Sequence, residues 1–410
     1  MDADSERTGL RHRLQWLWGP AFVAAIAYVD PGNVAANLTA GAEYGYLLVW
    51  VLVAANTMAM LVQYLSAKLG LVTGRSLPAL LGERLGTGPR LLFLLQAEIV
   101  AAATDLAEVI GGAIALNILF GVPLLLGGVI IGAVSMGLLA VQNRRGEKTF
   151  EAVVVALLVV ITIGFVAGLF VSAVDWPGAV GGVLPRFAGP DSVLLAASML
   201  GATVMPHAIY VHSAITTHLH DSSRSPKAMP RMLRATRWDV MASMLVAGTV
   251  NIAMLLLAAA NLQGETGTDS IEGAWAAINS HLGPAVGVLF GVGLLASGLA
   301  STSVGTFAGA TILDGLLKVK LSPFVIRLVT LAPALAILAL GVSPTWALVV
   351  SQVVLSFGIP FALIPLAALT RRHDVMGTYA NTRVLVWAAA VVIALIIALN
   401  VFLLVELIAG

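Results

Sequence analysis

From about residue 16 to residue 408 the sequence is a succession of long apolar runs separated by short polar punctuation. Each run is about as long as a helix must be to cross the hydrocarbon core of a bilayer, ~20 residues. No water reaches that core to satisfy backbone N–H and C=O groups, so open runs of this kind must be helical. The runs predict eleven helices, near 16–39, 45–69, 89–120, 122–142, 149–173, 191–219, 236–260, 283–313, 323–341, 344–370 and 383–408. Only 10% of the residues are charged, where a soluble domain carries roughly a quarter. The chain is therefore read as an all-α integral membrane protein whose main partner is the lipid bilayer. A net charge of +1 points to no nucleic-acid partner, and the absence of cysteine excludes disulfides, thiolate metal sites and thiol redox chemistry. "MDADSERTGLRHR" reads as a polar tail, residues 1–15 in extent, and not as a cleavable signal, because a full-length apolar run follows it.

The basic residues test the span count, since cytoplasmic loops collect Lys and Arg. With the N-terminus cytoplasmic, the inner tail and loops hold Arg7, Arg11 and Arg13, then Lys68, Arg75, Arg84 and Arg90, then Arg144, Arg145 and Lys148. The later ones hold Arg224, Lys227, Arg231, Arg234 and Arg237, then Lys318, Lys320 and Arg327, then Arg371, Arg372 and Arg383. Of the 22 basic residues only Arg186 falls outside. A missed span would scramble this alternation, so eleven spans with an extracytoplasmic C-terminus are expected, in the cell's inner (plasma) membrane. The longer outer loops carry Asp175, Glu265, Asp269 and Glu272 instead.

Two spans are interrupted. "AYVDPGNVA", residues 27–35, puts Asp30, Pro31, Gly32 and Asn33 in the middle of span 1. Proline removes a backbone donor and clashes with the preceding turn, and glycine adds backbone freedom. "GATVMPHAIYVHS" does the same in span 6, with Gly201, Pro206 and His207. Either break alone reads as a proline kink. Two breaks five spans apart, with polar residues beside them, point to an inverted-repeat transporter whose site lies between the broken helices. Residues 16–173 and 191–370 are then the two five-helix repeats, and 383–408 an eleventh helix added to them.

The groups at the breaks are a carboxylate (Asp30), an amide (Asn33), a thioether (Met205) and carbonyls freed by unwinding, for which Ala27 and Ala202 are the candidates. The only formal charge is negative, so the substrate is a cation. Oxygen ligands alone suit magnesium or calcium, whereas a soft thioether suits first-row transition ions. The set reads as a site for Mn²⁺ or Fe²⁺, with Co²⁺, Zn²⁺ or Cd²⁺ also accommodated. His207, two positions past Met205, is assigned to the surroundings of the ligands or to the ion pathway.

"DPGN" on span 1 with "MPH" on span 6, in an eleven-span chain, resembles the Nramp family of divalent-metal transporters, most closely its bacterial proton-coupled manganese branch. "ATDLAE", "ASGLAS" and "SQVVLSFGIPFALIPL" carry the resemblance through spans 3, 8 and 10. It implies a five-plus-five inverted repeat like that of the sodium-coupled amino-acid symporters. It also implies that Asp30, Asn33, Met205 and the Ala27 and Ala202 carbonyls bind metal, joined by Gln352 in some conformations. Magnesium- and aluminium-carrying relatives lack the methionine that is Met205 here.

Charged residues inside a membrane are costly and default to function. Span 3 has Glu98, Asp105 and Glu108, whose spacings of 7 and 3 put them on one helical face. Such a stripe suits a proton relay, with Asp30 taking the proton or passing it to Asp105 when metal binds. A structural ion pair is the competing explanation, strongest for Glu98. The resemblance gives Asp105, Glu108 and His207 the relay role. It also expects two adjacent arginines at the start of span 9, where this chain has Ile326 and Arg327, leaving Arg327 to serve alone.

Asn56, Gln63, Asn117, Asn251 and Asn400 are read as interhelical hydrogen-bonding residues. "GLLASGLASTSVGTFAG" on span 8 is read as close helix packing with its Ser and Thr satisfying one another. His12, His218, His220, His281 and His373 are read as solvated. The function expected is import of Mn²⁺ or Fe²⁺ with proton symport by a monomer that needs no cofactor and is no enzyme, the metal being substrate. A sodium-coupled symporter of an amino acid or other organic solute is the alternative, disfavoured by a lone carboxylate that would face the substrate's own. An intramembrane metalloenzyme would need an "HExxH"-type ligand set, and none occurs. Nor is there a Walker-type phosphate loop for an ATP-driven pump.

Overall fold

The computed structural model describes residues 20–145, 147–220, 228–265, 267–268, 270–318 and 322–409. The expected tail 1–15, including His12 and its three arginines, lies outside the described residues, as do Arg224, Lys227, Lys320 and Asp269. Every regular element among the described residues is helical.

The first helix is in two pieces. α1a runs Pro20–Ala25 and tightens into a 3₁₀ turn at Ile26–Val29, and α1b runs Pro31–Tyr44. Then come α2 (Val49–Thr73), α3 (Thr87–Phe120), α4 (Leu124–Arg145) and α5 (Glu147–Val166), the last ending in a 3₁₀ turn at Ala167–Phe170. The sixth is also divided, into α6a (Pro190–Thr203) and α6b (Pro206–Ile215). α7 (Ala228–Asn261), α8 (Pro284–Leu317), α9 (Pro323–Ala339), α10 (Pro344–Thr370) and α11 (Arg383–Ala409) complete the set. Among the described residues seven helices are long and apolar enough to cross a membrane. Four shorter apolar helices, Pro20–Val29, Leu124–Gly137, Val155–Phe170 and Phe324–Ala339, stand where spans 1, 4, 5 and 9 are expected. Span 2 starts four residues later than expected, because α1b continues to Tyr44 and Gly45, at φ 56°, supplies the turn. Short helices at Leu77–Arg84, Trp176–Gly181 and Ile271–Leu282 lie between spans.

Packing partners exchange under a shift of five helices. α1b packs on α7 as α6b packs on α2, and α5 packs on α8 as α10 packs on α3. α2 with α7, α3 with α8 and α4 with α9 pair across the same relation. The α3–α8 contact explains the small residues of span 8: a Cβ on Gly298 would stand 3.0 Å from the Glu108 carbonyl oxygen and 3.1 Å from the Gly112 nitrogen. The hydroxyls there do not satisfy one another as expected. Ser297 donates to the Val29 carbonyl (2.5 Å) and Thr302 to the Gly298 carbonyl (2.7 Å), because backbone acceptors lie closer.

Candidate functional site

Both breaks are built the same way. Pro31 and Pro206 each occupy the first turn of the second half-helix, where a missing N–H costs nothing and the ring pre-sets φ. The proline therefore starts a new helix after the chain has unwound. Asp30 sits in extended backbone, φ −81° and ψ 168°, and its side chain accepts from the Asn33 N–H at 2.8 Å. It is the N-cap of α1b, a role that "DPGN" advertises and that the expectations above overlooked. At the second break Val204 and Met205 leave helical backbone together, Met205 at φ −73° and ψ 125°.

The two breaks meet. The Asn33 side-chain amide donates to Asp30 Oδ1 (2.6 Å) and to the Ala202 carbonyl (2.9 Å), so one side chain joins both interruptions. Thr203 Oγ1 approaches Asn33 Oδ1 at 3.4 Å. From α10, Gln352 Nε2 reaches Asp30 Oδ2 at 3.5 Å, while Gln352 Oε1 is buried without a hydrogen-bond partner among the described residues. Two glycines permit this convergence: a Cβ on Gly32 would overlap the Gln352 amide, and one on Gly201 would overlap the Gln352 backbone carbonyl. Gly111 of α3 does the same for Pro31. Asp30 is 1% exposed, and Asn33, Ala202, Met205 and Gln352 are 0% exposed, so the cluster is shut off from solvent. Ala27 lies in the 3₁₀ turn one helical turn ahead, also fully buried. The carbonyls nearest the first break go to side chains: Tyr28 O accepts from Asn251 Nδ2 (2.8 Å) and Val29 O from Ser297.

The C-terminal ends of α1a and α6a and their freed carbonyls present partial negative charge here, and Asp30 adds a full one. Hydrogen bonds bring the carboxylate of Asp30, the amides of Asn33 and Gln352 and the Ala202 carbonyl together; Met205 is fully buried at the second break.

The carboxylate stripe lies beside this cluster. Asp105 pairs with Arg327, Nη1 to Oδ1 at 2.9 Å. Arg327 is the bulkiest fully buried side chain among the described residues. It also donates to Ser135 Oγ (3.0 Å) and Thr302 Oγ1 (3.4 Å), so it ties α9 to α3, α4 and α8. Counting it as a cytoplasmic loop charge is thus corrected, because its guanidinium finds its counter-ion inside the bundle. Lys68, on the inner flank of α2, is 5% exposed with Nζ 2.8 Å from Asn381 Oδ1 in the connection between α10 and α11. Ile326, in the place of the second expected arginine, is buried, and its Cγ2 faces Gly309 of α8. Glu108 is fully buried with neither oxygen partnered among the described residues. It and Asp105 both face Gly305, within 3.2–3.4 Å of a Cβ added there. Glu98 is only half-buried, nearer the rim of the bundle. His207 Nδ1 meets Thr104 Oγ1 of α3 at 3.3 Å, and its buried Nε2 is unpartnered among the described residues.

Sequence reasoning passed over His212. It is fully buried on α6b, with Nδ1 2.6 Å from Gln63 Oε1, and Gln63 Nε2 in turn bonds the Tyr28 hydroxyl. This chain links α6b, α2 and α1a; the signal was a histidine five residues after His207 in the same apolar run. Gln63, Asn251 and Asn400 do bond between helices, Asn400 to Ser356 of α10 and Asn251 also to Asn37. Asn117 does not: its amide caps its own helix end through the Val122 carbonyl, 2.9 Å away. His218, His281 and His373 are exposed as expected. His220 is half-buried, its Nδ1 2.9 Å from the Leu71 carbonyl.

The profile of the Nramp family, described as natural resistance-associated macrophage protein-like, matches residues 21–406. The chain belongs to the Nramp family. The Nramp relatives include a divalent metal cation transporter MntH of Mycobacterium tuberculosis (strain CDC 1551 / Oshkosh). It is 58% identical over 402 residues, covering 98% of this chain and 94% of that one. The Nramp fold is matched by a crystal structure of a manganese transporter of Eremococcus coleocola at a TM-score of 0.85 and 29% identity, over 95% of this chain and 86% of that one. A nucleobase-cation-symport-1 family transporter in a closed conformation shares the fold alone, at a TM-score of 0.61 and 18% identity, over 95% and 90% of the two chains. These Nramp relatives are transporters, and the resemblance read from "DPGN" and "MPH" is borne out.

Proposed function

We propose that this chain carries Mn²⁺ or Fe²⁺ into the cell together with protons, by alternating access. The observation that carries the reading is the closure of Asp30, Asn33, Ala202 and Gln352 on one another where the two broken helices meet. The metal is cargo, and no cofactor enters the cycle.

In this reading Asp30 neutralises the ion, and Asn33 and Gln352 rotate their amides to present oxygen. Met205 and the Ala27 and Ala202 carbonyls complete the shell. The thioether makes the shell selective, since calcium and magnesium gain little from sulfur. Dehydration is offset by these donors together, and a negative-inside potential adds ~2.3 kcal/mol per positive charge per 100 mV. The proton travels through His207, Asp105, Glu108 and Glu98. Arg327 pairs directly with Asp105, whereas both Glu108 oxygens are buried without a hydrogen-bond partner among the described residues, which suits Glu108 to the next place in the relay. The order Asp30, Asp105, Arg327 then runs from the ion to the start of α9.

The exchange of packing partners under a five-helix shift supports residues 16–173 and 191–370 as inverted repeats, with 383–408 appended. The orientation proposed is N-terminus cytoplasmic and C-terminus outside, in the plasma membrane, for a chain that works as a monomer. A sodium-coupled symporter of organic solutes shares the fold, but Asp30 would repel a carboxylate substrate with no cation beside it.

The test is Mn²⁺ uptake into proteoliposomes under a negative internal potential, with a pH dye inside. Wild type should take up Mn²⁺ and acidify the lumen. Met205→Ala should let Ca²⁺ compete, and Asp105→Asn should lose acidification. A wild type that moves no transition metal sinks the metal reading; metal uptake without a pH change in either form sinks the proton route.

A further inference from the structure

An apolar groove of about 590 Å³ lies between α2, α6a and α11. α11 lines it with Leu395, Leu399 and Phe402, the i, i+4, i+7 stripe of one helical face. α2 supplies Trp50, Ala54 and Met58, again one face. At one end Phe187 closes on Trp50, ring to ring at 5.2 Å and 72°, and Trp50 Nε1 donates to the Arg186 carbonyl at 3.1 Å. Arg186 itself is exposed.

A groove this apolar cannot hold ordered water, which needs several polar partners. Left empty, its walls would forfeit dispersion contacts that a hydrocarbon chain restores. The rim adds specificity. Arg186 is the one basic residue that the alternation of charge leaves on the outer side, where arginine is disfavoured. Asp191, the nearby carboxylate in the first turn of α6a, projects about 165° away from the mean direction of the groove-facing positions 190, 193, 196 and 200 at 100° per residue.

We propose that this groove binds one anionic phospholipid of the outer leaflet, its acyl chain between α2, α6a and α11 and its phosphate on Arg186. Guanidinium pairs with phosphate oxygens through two parallel N–H donors, and the Trp50–Phe187 pair marks the level where chain gives way to headgroup. The leaflet follows from the orientation proposed above; the groove and its cation do not depend on it.

The experiment uses the full chain in nanodiscs of equal phosphatidylglycerol and phosphatidylcholine, extracted into mild detergent and weighed by native mass spectrometry. Wild type should retain one phosphatidylglycerol. Ala54→Trp, which fills the groove, should lose it, and Leu399→Trp repeats this from the facing wall. Arg186→Gln should keep a lipid but lose the preference for the anionic headgroup. Unchanged retention in both groove variants overturns the proposal, as does a wild type that shows no headgroup preference. So does a two-chain mass that Ala54→Trp dissociates, since a second copy would then cover the groove. Photolabelling of wild type with phosphatidylglycerol bearing a diazirine on its acyl chain needs no variant. Labels concentrated at 50–58 and 395–402 support the site, and labels spread evenly to lipid-facing Trp238 and Trp387 overturn it.

Discussion

The Asn33 amide on α1b donates to the Ala202 carbonyl on α6a at 2.9 Å, a hydrogen bond that closes the two broken helices on each other. The same amide donates to Asp30 Oδ1 at 2.6 Å. Its hydrogens stand on two acceptors of the proposed ion site.

Asn33→Ala removes that bridge and one oxygen donor of the proposed site. Losing a donor, or a group that orients one, costs a metal site about 10- to 100-fold in affinity, so apparent Mn²⁺ affinity should fall by about that much. Calorimetric titration of the purified chain reads this directly; unchanged affinity would remove Asn33 from the site.

Gly201→Ala should be far more damaging than Gly86→Ala. A Cβ at Gly201 runs into the Gln352 backbone, which cannot swing aside, whereas a Cβ at Gly86 meets nothing within 4 Å. Overpacking of this kind costs ~1–3 kcal/mol or more. Uptake and thermal stability should drop for the first variant and stay level for the second; parity between the two would refute the close approach of α6a and α10.

Arg327→Ala strands Asp105 as a buried charge, a loss of ~3–5 kcal/mol. Asp105→Asn/Arg327→Met, which removes both charges, should recover much of that stability. A thermal-shift series in detergent checks it. If the double variant is as unstable as the sum of the singles, the pair is not what holds α9 against α3.

Gln63→Leu leaves Tyr28 and His212 without the group that joins them. Burying such groups unpaired costs ~1–3 kcal/mol. The melting temperature should fall while Mn²⁺ affinity holds, because none of the three touches Asp30. A loss of affinity with unchanged stability would place this chain in the metal site instead.

Glu272 lies in the helix Ile271–Leu282 between spans, and burial raises its carboxyl above the usual range. Its charged form is therefore penalised in the fold, a cost absent at low pH and fully present once pH exceeds the raised value. Glu272→Gln should raise the melting temperature at pH 7, and the gain should vanish on acidification into the ordinary carboxylate range. A gain independent of pH would mean that the effect is not electrostatic.

The helix count, the two breaks and the residues beside them were legible because the bilayer punishes polar and helix-breaking residues, which makes Asp30, Pro31 and Pro206 conspicuous. The ends of span 2 were not, since Tyr44 and Gly45 carry no hydropathy signal and only the turn geometry separates the helices. Arg327 was legible as a charge but not as a buried one. Its position near a loop suits either fate, and only Asp105, more than two hundred residues away, decides between them. His212 was hidden for the same reason: its partner Gln63 lies on another helix, and pairing across 149 residues leaves no local pattern. The N-cap role of Asp30 could have been read from "DPGN", but the chemical reading of the carboxylate masked the mechanical one.

The Asn33 bridge has a consequence for the cycle of the proposed carrier. With its hydrogens on Asp30 and Ala202, the Asn33 amide pairs two acceptors of the proposed site. In the proposed cycle this pairing would spare the returning carrier an unpaired carboxylate in oil. Such a machine accumulates its cargo against a gradient, where one that could turn only when loaded would merely trade ions one for one.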